Sequence, residues 1–544
     1  MVTKEQMQRL NRVRQSLESE RERYDNVWKE IARYVAPFYG NWGDSSPKDE
    51  GLASTKDIYD NVAIRASNRL ADGIQGYAFG RSISWFRLAF ETEELNDNQT
   101  YTKWLQDVEK ILYKRLNKSN FYDEGRAFIK CGADFGTAIM LRENNVKRSL
   151  PCYRTLHPKN ALIQENSFGE VDTLFRLFWL STEDAKDYFS KGILSKTITE
   201  CKEHTKLWRF WQYIGPSGRY SLDVPGTQDF ISVFWSDVDP DTTITEERLD
   251  YKPFFAWRWA RSYIGDVWGV DSPGLNEIPN IRQLNSMAKD KLRNSQLTAR
   301  PPIKKTEGLA VNFVPGGMID IRSGQDFAVQ SITGDLKWLE FDIEKMRKYI
   351  EESYYSDFFL LLTQNIERMK TATEVAGLQD EKSALLAAFF GRLSVEFLEP
   401  VLEDLVDSEI EYQRLPKPPE GLADSDLAID FISPLAMMQK QAHELTTTRS
   451  FMSQALQIGE LVPSALDKVD FDEYLELMSD SMNVNRRIIK PKADVDKIRK
   501  ARAELQAQQL QQQQMVEQAK ASADIMAKGG KAPEKGSMVE QKMR

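Results

Sequence analysis

The chain has 544 residues, 41% of them hydrophobic and 28% charged, which supplies apolar material for real cores and excludes both a wholly disordered chain and a small disulfide scaffold. Against 82 acidic residues stand 73 basic ones, a net charge of −9. That excludes a globally basic nucleic-acid coat and leaves any polyanion contact to local patches.

At about 150 residues per domain, the length predicts three to four domains. Cys131, Cys152 and Cys201 are odd in number and widely spaced, so they read as reduced thiols in a cytosolic compartment. The amino terminus lacks the apolar region of a secretory signal. The longest aliphatic and aromatic run, Ala384 to Phe390, is far short of the roughly 20 residues of a membrane span, so no membrane segment is expected. Only His157, His204 and His443 are present. A histidine-based metal or acid–base site is therefore disfavoured, and each reads as a packing or surface residue.

Leu10, Val13, Leu17, Tyr24, Val27, Trp28 and Ile31 recur mostly at three- and four-residue steps, which predicts an opening helix that ends near Pro37. Asn61 to Phe79 and Tyr101 to Leu116 read as further helices, and Gly132 to Leu141 as a helix end or turn running into an apolar strand. From Cys152 to about Trp259 the texture turns strand-like, with aromatic-rich pieces such as Leu207–Ile214 and Phe230–Trp235. One short helix, Thr182 to Ser190, interrupts them. This half predicts an α+β arrangement.

After Trp268 a helical stripe from Ile278 to Ala299 is stopped by Arg300-Pro301-Pro302. Short β-like pieces follow over 303–337. The spacing of Leu339, Ile343, Met346, Ile350, Tyr354, Phe358 and Leu361 then predicts one helix packed along one seam. Thr371 to Glu374 has the form of a capping box, which makes 363–370 a short loop between helices. The helix after it is expected to run to about Tyr412, kinked at Pro400. A linker occupies 415–421. Residues 506–518 hold eight glutamines, and good helix formers around them predict a long exposed helix from Ala493 to Met526, with a flexible tail beyond.

Catalytic templates are missing. No phosphate-cradling G-x-x-x-x-G-K-[ST], no G-x-G-x-x-G after a strand and no G-x-S-x-G occurs. Asp237, Asp239 and Asp241 imitate the start of a calcium loop, but Thr242 replaces its tight-turn glycine and Arg248 its bidentate glutamate, so the segment reads as an acidic surface turn. What is present is local positive charge. Arg282 to Lys305 contains seven basic residues (Arg282, Lys289, Lys291, Arg293, Arg300, Lys304, Lys305) against Asp290, a balance of +6. Arg486 to Arg502 carries eight basic residues against two acidic ones, again +6; Arg486, Arg487, Lys490, Lys497, Arg499, Lys500 and Arg502 are its candidate contacts. Such islands suit sequence-independent phosphate contacts. On composition alone they better suit solvated faces that pair with acidic neighbours in an oligomer.

Taken in order, several stretches resemble the portal, or head-to-tail connector, proteins of short-tailed bacteriophages. They are Tyr24–Pro37, Ile58–Val62, Ala66–Phe79, Trp85–Leu88, Cys131–Thr137, Trp268–Leu284, Arg300–Pro302, Pro315–Gly317, Tyr354–Leu362, Met369–Lys382, Gly391–Leu402 and Ile432–Leu435. Val270 to Gly274 departs from the more glycine-rich turn frequent in such proteins.

The resemblance implies a mainly helical α+β portal fold, assembled as a ring of about a dozen copies around a channel for duplex DNA. By position, 1–270 would be the wing, 271–300 and 338–362 the stem helices, and 301–337 the clip. A tunnel loop would occupy 363–371, with Gln364, Asn365, Arg368 and Lys370 facing the channel. A kinked return helix would follow over 372–430, a crown over 431–490, a barrel helix over 491–526 and a tail over 527–544.

The implied function is non-enzymatic and uses no cofactor or metal. Implied partners are further copies of the chain, double-stranded DNA, the terminase large subunit, head-tail adaptor and tail proteins, and the major capsid and scaffolding proteins, with no membrane. The implied location is the virion, after assembly in the host cytoplasm. Two other readings stay open: a metal-dependent DNA-processing enzyme of a packaging apparatus, and a helical scaffold with no DNA role.

Overall fold

The structure, a computed structural model, describes residues 2–37, 55–96, 98–145, 150–221, 229–262, 265–299, 303–305, 327–329, 336–363, 390–419, 427–433 and scattered residues between 451 and 520. Two units are distinct, residues 1–446 and 447–544. The first is a mixed helix-and-strand unit. In the second, the described residues are almost all helical.

Helix α1 (Lys4–Tyr34) starts at a capping box, in which Thr3 and Gln6 satisfy each other's backbone amides. Its first half packs Met7, Leu10 and Leu17 on Leu162, Phe175, Trp211, Tyr213, Val233 and Trp235. These last residues belong to an antiparallel five-stranded sheet in simple sequence order: β4 (Ala161–Glu165), β5 (Val171–Ser181), β6 (Leu207–Pro216), β7 (Phe230–Ser236) and β8 (Thr245–Leu249). Alternation puts Trp208, Phe210 and Phe234 on the opposite face, where they pack with Ala185, Phe189 and Ile198. Both faces of the inner strands are therefore covered, which is why their sequences read as aromatic runs. The short helix expected at Thr182 is present as α5 (Thr182–Tyr188), capped by Ser181.

The acidic turn anchors the start of α1. Lys4 pairs with Asp241 at 3.5 Å, Gln8 donates to the same carboxylate, and Asn11 donates to the Pro240 carbonyl at 2.7 Å. Asp237 instead accepts from Trp211 Nε1 at 2.8 Å and pairs with Arg209 at 3.0 Å. No disulfide joins the three cysteines, and Cys131 is buried.

The second half of α1 enters a larger core through Trp28, Ile31 and Ala32. Helix α2 (Val62–Ala78), strand β1 (Phe86–Phe90), helices α3 (Gln99–Lys118) and α4 (Phe121–Phe135), and a three-stranded sheet build it. That sheet has the order β3 (Leu150–Leu156), β2 (Thr137–Asn145), β9 (Phe254–Arg258). Expectation and structure agree on α1, α2 and α3. They differ on α4, which the sequence reading saw only as a helix end. Eleven of its 15 residues are buried, and the run from Phe128 to Phe135 has no exposed side at all, so a polar face is confined to the first half of the helix.

Helix α6 (Pro273–Ala299) stops where Arg300-Pro301 was expected to stop it. Beyond it, β10 (Ile303–Lys305) pairs antiparallel with β11 (Phe327–Val329). The single seamed helix expected over 339–361 is instead two, α7 (Leu336–Ser353) and α8 (Ser356–Thr363). The chain turns at Tyr355, whose φ is +51°. This break lets Phe358 and Phe359 bury themselves on α2, where Gly73 is the seat: a Cβ there would lie 2.4 Å from the Phe359 ring. Apolar spacing alone could not distinguish one straight helix from two that share a core.

The kink expected at Pro400 takes the form of a π-helical turn, Ser394–Leu398, leading into helix α9 (Glu399–Glu411), with Pro400 in its first turn. Proline removes one N–H and crowds the preceding turn, and the wider π turn absorbs both. Arg142 in β2 donates to Asp404 and, at 2.8 Å, to Ser408, which fastens α9 to the sheet. Strand β12 (Leu427–Phe431) pairs with β1. The capping box at Thr371–Glu374, the loop before it and His443 lie outside the described residues.

His157 caps a 3-10 turn, accepting from the Lys159 N–H at 3.1 Å, and its ring packs edge-on against Phe135. Burial, helped by Lys159 and Arg21, pushes its pKa down to about 3. The folded state thus binds fewer protons than the unfolded chain between pH 6.5 and 3, and stability falls as pH drops through that window. Thermal melting of the wild type should lose stability between pH 6.5 and 4 more steeply than His157→Gln; parallel curves would contradict this assignment.

Candidate functional site

The site is the α6–α7 pair and its root. Asn285 in α6 donates to the Asp57 carbonyl at 2.8 Å and accepts from the Tyr59 N–H at 2.7 Å. Arg347 in α7 reaches the same segment, donating to Asp60 at 2.9 Å. Further out, Lys291 pairs with Glu340 at 2.9 Å. From 285 to 291 the partner on α7 retreats from the level of 347 to 340, so the helices run antiparallel. Ile278, Ile281 and Leu284 of α6 and Ile343 and Ile350 of α7 are buried in the same core.

The inner end of the pair is rooted on the last turn of α4. Gly136 has a φ of +83°. A Cβ there would sit 2.5 Å from the Gly269 carbonyl, so only glycine permits this approach. Trp28 Nε1 donates to the Phe135 carbonyl at 3.0 Å, Trp259 N–H to the Gly136 carbonyl at 2.9 Å, and Gly269 N–H to Thr137 Oγ1 at 2.8 Å. Asp134 is fully buried beside Lys130 at 3.2 Å, and Lys130 also donates to Ser67. Tyr354, at the end of α7, hydrogen-bonds Asp134 at 3.5 Å. Burial first, and the Asp134 charge second, raise the Tyr354 pKa well above its ordinary value. A buried pair of this kind costs several kcal/mol when one member is removed, about 3–5.

The first basic island is dispersed by the fold. Lys291 is spent on Glu340, whose carboxyl it holds below the ordinary range. Arg282, which was part of the island, pairs with Glu30 of α1 at 3.2 Å. Lys289 lies 5.5 Å over the Tyr59 ring. Arg293 is exposed and has no partner among the described residues. Lys304 and Lys305 stand in β10 opposite Ala328 and Phe327, while Arg300 lies outside the described residues.

In the second unit Lys497, Arg499, Lys500 and Arg502 are exposed on helical residues, and Arg499 forks onto Asp472. Arg486, Arg487 and Lys490 are outside the described residues. So are all four loop candidates, Gln364, Asn365, Arg368 and Lys370. Among the described residues no three His, Cys, Asp or Glu side chains stand together to hold a metal ion, and no helix is long and apolar enough to cross a membrane.

Sequence reading missed Asp57, Asp60 and Arg347, which join the pair to its base, and Lys130, Asp134 and Tyr354, which root it. Asp60, Asp134 and Tyr354 lie inside stretches that carry the family resemblance, but nothing in the sequence joins residues more than 200 positions apart. The Asp60 side chain is 4% exposed. Arg347→Ala should strand its carboxylate and destabilise the chain by about 1–3 kcal/mol in denaturant melts. Arg347→Lys should recover part of that loss.

The model of the bacteriophage head to tail connecting protein family matches residues 7–489. The "Probable portal protein" of Bordetella phage BPP-1 is 28% identical over 529 residues, covering 94% of this chain and 93% of the relative. The "Portal protein" of Salmonella phage epsilon15 is 26% identical over 538 residues, with the same coverages. Among solved structures, the neck of an empty GTA particle covers 78% of this chain and 92% of its own, at 8% identity and a TM-score of 0.36. The chain belongs to the bacteriophage head-to-tail connecting protein family.

Proposed function

We propose that the portal function carried by this family is performed here by a closed ring of about a dozen copies, with duplex DNA passing along its axis. The observation that carries this reading is the antiparallel α6–α7 pair, rooted at one end and bracketing the small β10–β11 pairing at the other. Such a pair suits the stem of a channel wall, with residues 271–300 and 338–362 as stem and 301–337 as clip. Residues 1–270 then form the wing, 363–371 a tunnel loop, 372–430 the return segment and 431–490 the crown. A barrel helix would span 491–526, followed by a tail.

The ring would dock the terminase large subunit while DNA is loaded, and head-tail adaptor and tail proteins afterwards, within a shell of major capsid protein assembled on scaffolding protein in the host cytoplasm. Hydrolysis would belong to the motor, and the chain itself would do no chemistry. A passing duplex must not be gripped, which suits the partial neutralisation of the first basic island by Glu30 and Glu340.

Electron microscopy of the purified chain should show closed rings with an open axial hole; a monomer or dimer at every concentration and salt tried would end this reading. Arg368→Ala with Lys370→Ala should leave ring assembly intact and alter DNA retention or packaging. Truncation after Lys490 should leave the ring closed, and unfolding of the truncated chain would remove the peripheral role given to 491–526.

A further inference from the structure

We propose that neighbouring copies of this chain meet through the two outward sides of the α6–α7 pair, the cationic side of one copy lying against the aromatic side of the next. On α7, Trp338, Phe341, Lys345 and Tyr349 recur at steps of three and four, which is one face of a helix. Trp338 is 70% exposed, Phe341 63% and Tyr349 42%, while Lys345 lies 5.7 Å over the Tyr349 ring. On α6, Arg282, Ser286, Lys289 and Arg293 recur at steps of four and three and are all exposed. Leu292 beside them is also exposed.

The Lys291–Glu340 pair marks the line along which the two helices touch. Arg282 stands nine residues from Lys291, and Tyr349 nine from Glu340. Nine residues make about two and a half turns, so each stripe faces away from the contact line. The pair therefore has a cationic side and an aromatic side, set back to back. Because the helices are antiparallel and Lys291 is level with Glu340, Arg293 stands level with Trp338, and Lys289 with Asp342, next to Phe341.

The inference rests on the ring reading above and names the surfaces that close it. A ring contact is head-to-tail, so each copy must offer two different patches that complement one another. Guanidinium and ammonium groups over exposed aromatic rings meet that requirement, and interface centres are enriched in aromatics and arginine. Wide exposure of Trp338 and Phe341 calls for a cover that a hydrated duplex does not supply. On the cationic side Arg282 is already paired with Glu30, and Lys289 already lies over the Tyr59 ring, which suits a protein face better than a polyanion.

The test uses full-length chains. R293C copies and W338C copies are made separately and also co-expressed, and R293C/W338C is made as a double variant; all are assembled, mildly oxidised and run without reductant. The expected result is a covalent dimer only in the co-expressed sample, and a ladder of multimers from the double variant. Closed rings with no cross-link above that of the single variants overturn the inference and leave the ring reading standing. A wild type that forms no closed ring overturns both.

A charge exchange gives a second readout. Arg293→Glu should lower ring yield at least several-fold, Trp338→Lys should do the same, and the two together should restore it. A loss of DNA retention by Arg293→Glu in rings of normal yield would assign the cationic side to the duplex instead, and would overturn the inference.

Discussion

The structure depends on one turn, Asp134 to Thr137. Its backbone accepts the Trp28 indole and the Trp259 amide, its Gly136 backs directly onto Gly269, and its buried Asp134 meets Lys130 and Tyr354. Helix α1, the approach to α6 and the end of α7 are thereby fixed to one another through groups that cannot be exchanged singly. Glycine is required where two backbones touch, and a buried charge tolerates no loss of its counter-ion. A long antiparallel helix pair is a lever, and its aim is set at its base.

From that base outward, ion pairs join one element to the next. Asp60 takes Arg347, Glu30 takes Arg282, Glu340 takes Lys291, and Asp404 takes Arg142. The exposed pairs contribute little to stability individually, but they set register: each fixes how far along its neighbour a helix sits. The same economy operates at the acidic turn, whose carboxylates hold the start of α1 and the Trp211 indole. What resembles a ligand loop in the sequence is a clasp in the fold.

Elements with one wet face were legible in advance. Helices α1, α2 and α3 expose a polar side and so carry the 3.6-residue period, and the aromatic strands were legible through their turns and composition. The second half of helix α4 was legible only as a helix end, since Phe128 to Phe135 are all buried and present no polar side. The break at Tyr355 was hidden for a related reason: Ile350, Tyr354 and Phe358 keep helical spacing on both sides of it, because both pieces pack on the same core. The basic island from Arg282 to Lys305 was visible as composition, whereas its division into paired and unpaired cations was not. Lys291 and Arg293 are two residues apart in sequence, and only the position of α7 separates a neutralised lysine from an exposed arginine.

The sequence by itself determined the family, most of the helices and strands, and the stopping points of α6 at Arg300-Pro301 and of α1 before Pro37. These are local properties, written in spacing, capping and proline geometry. Tertiary structure alone decided which carboxylate neutralises which cation, where the seam helix breaks, and that the α6–α7 pair has one cationic and one aromatic side. Those outcomes depend on the meeting of residues separated by tens to hundreds of positions. No local pattern encodes such distances; they are settled only when the whole core packs.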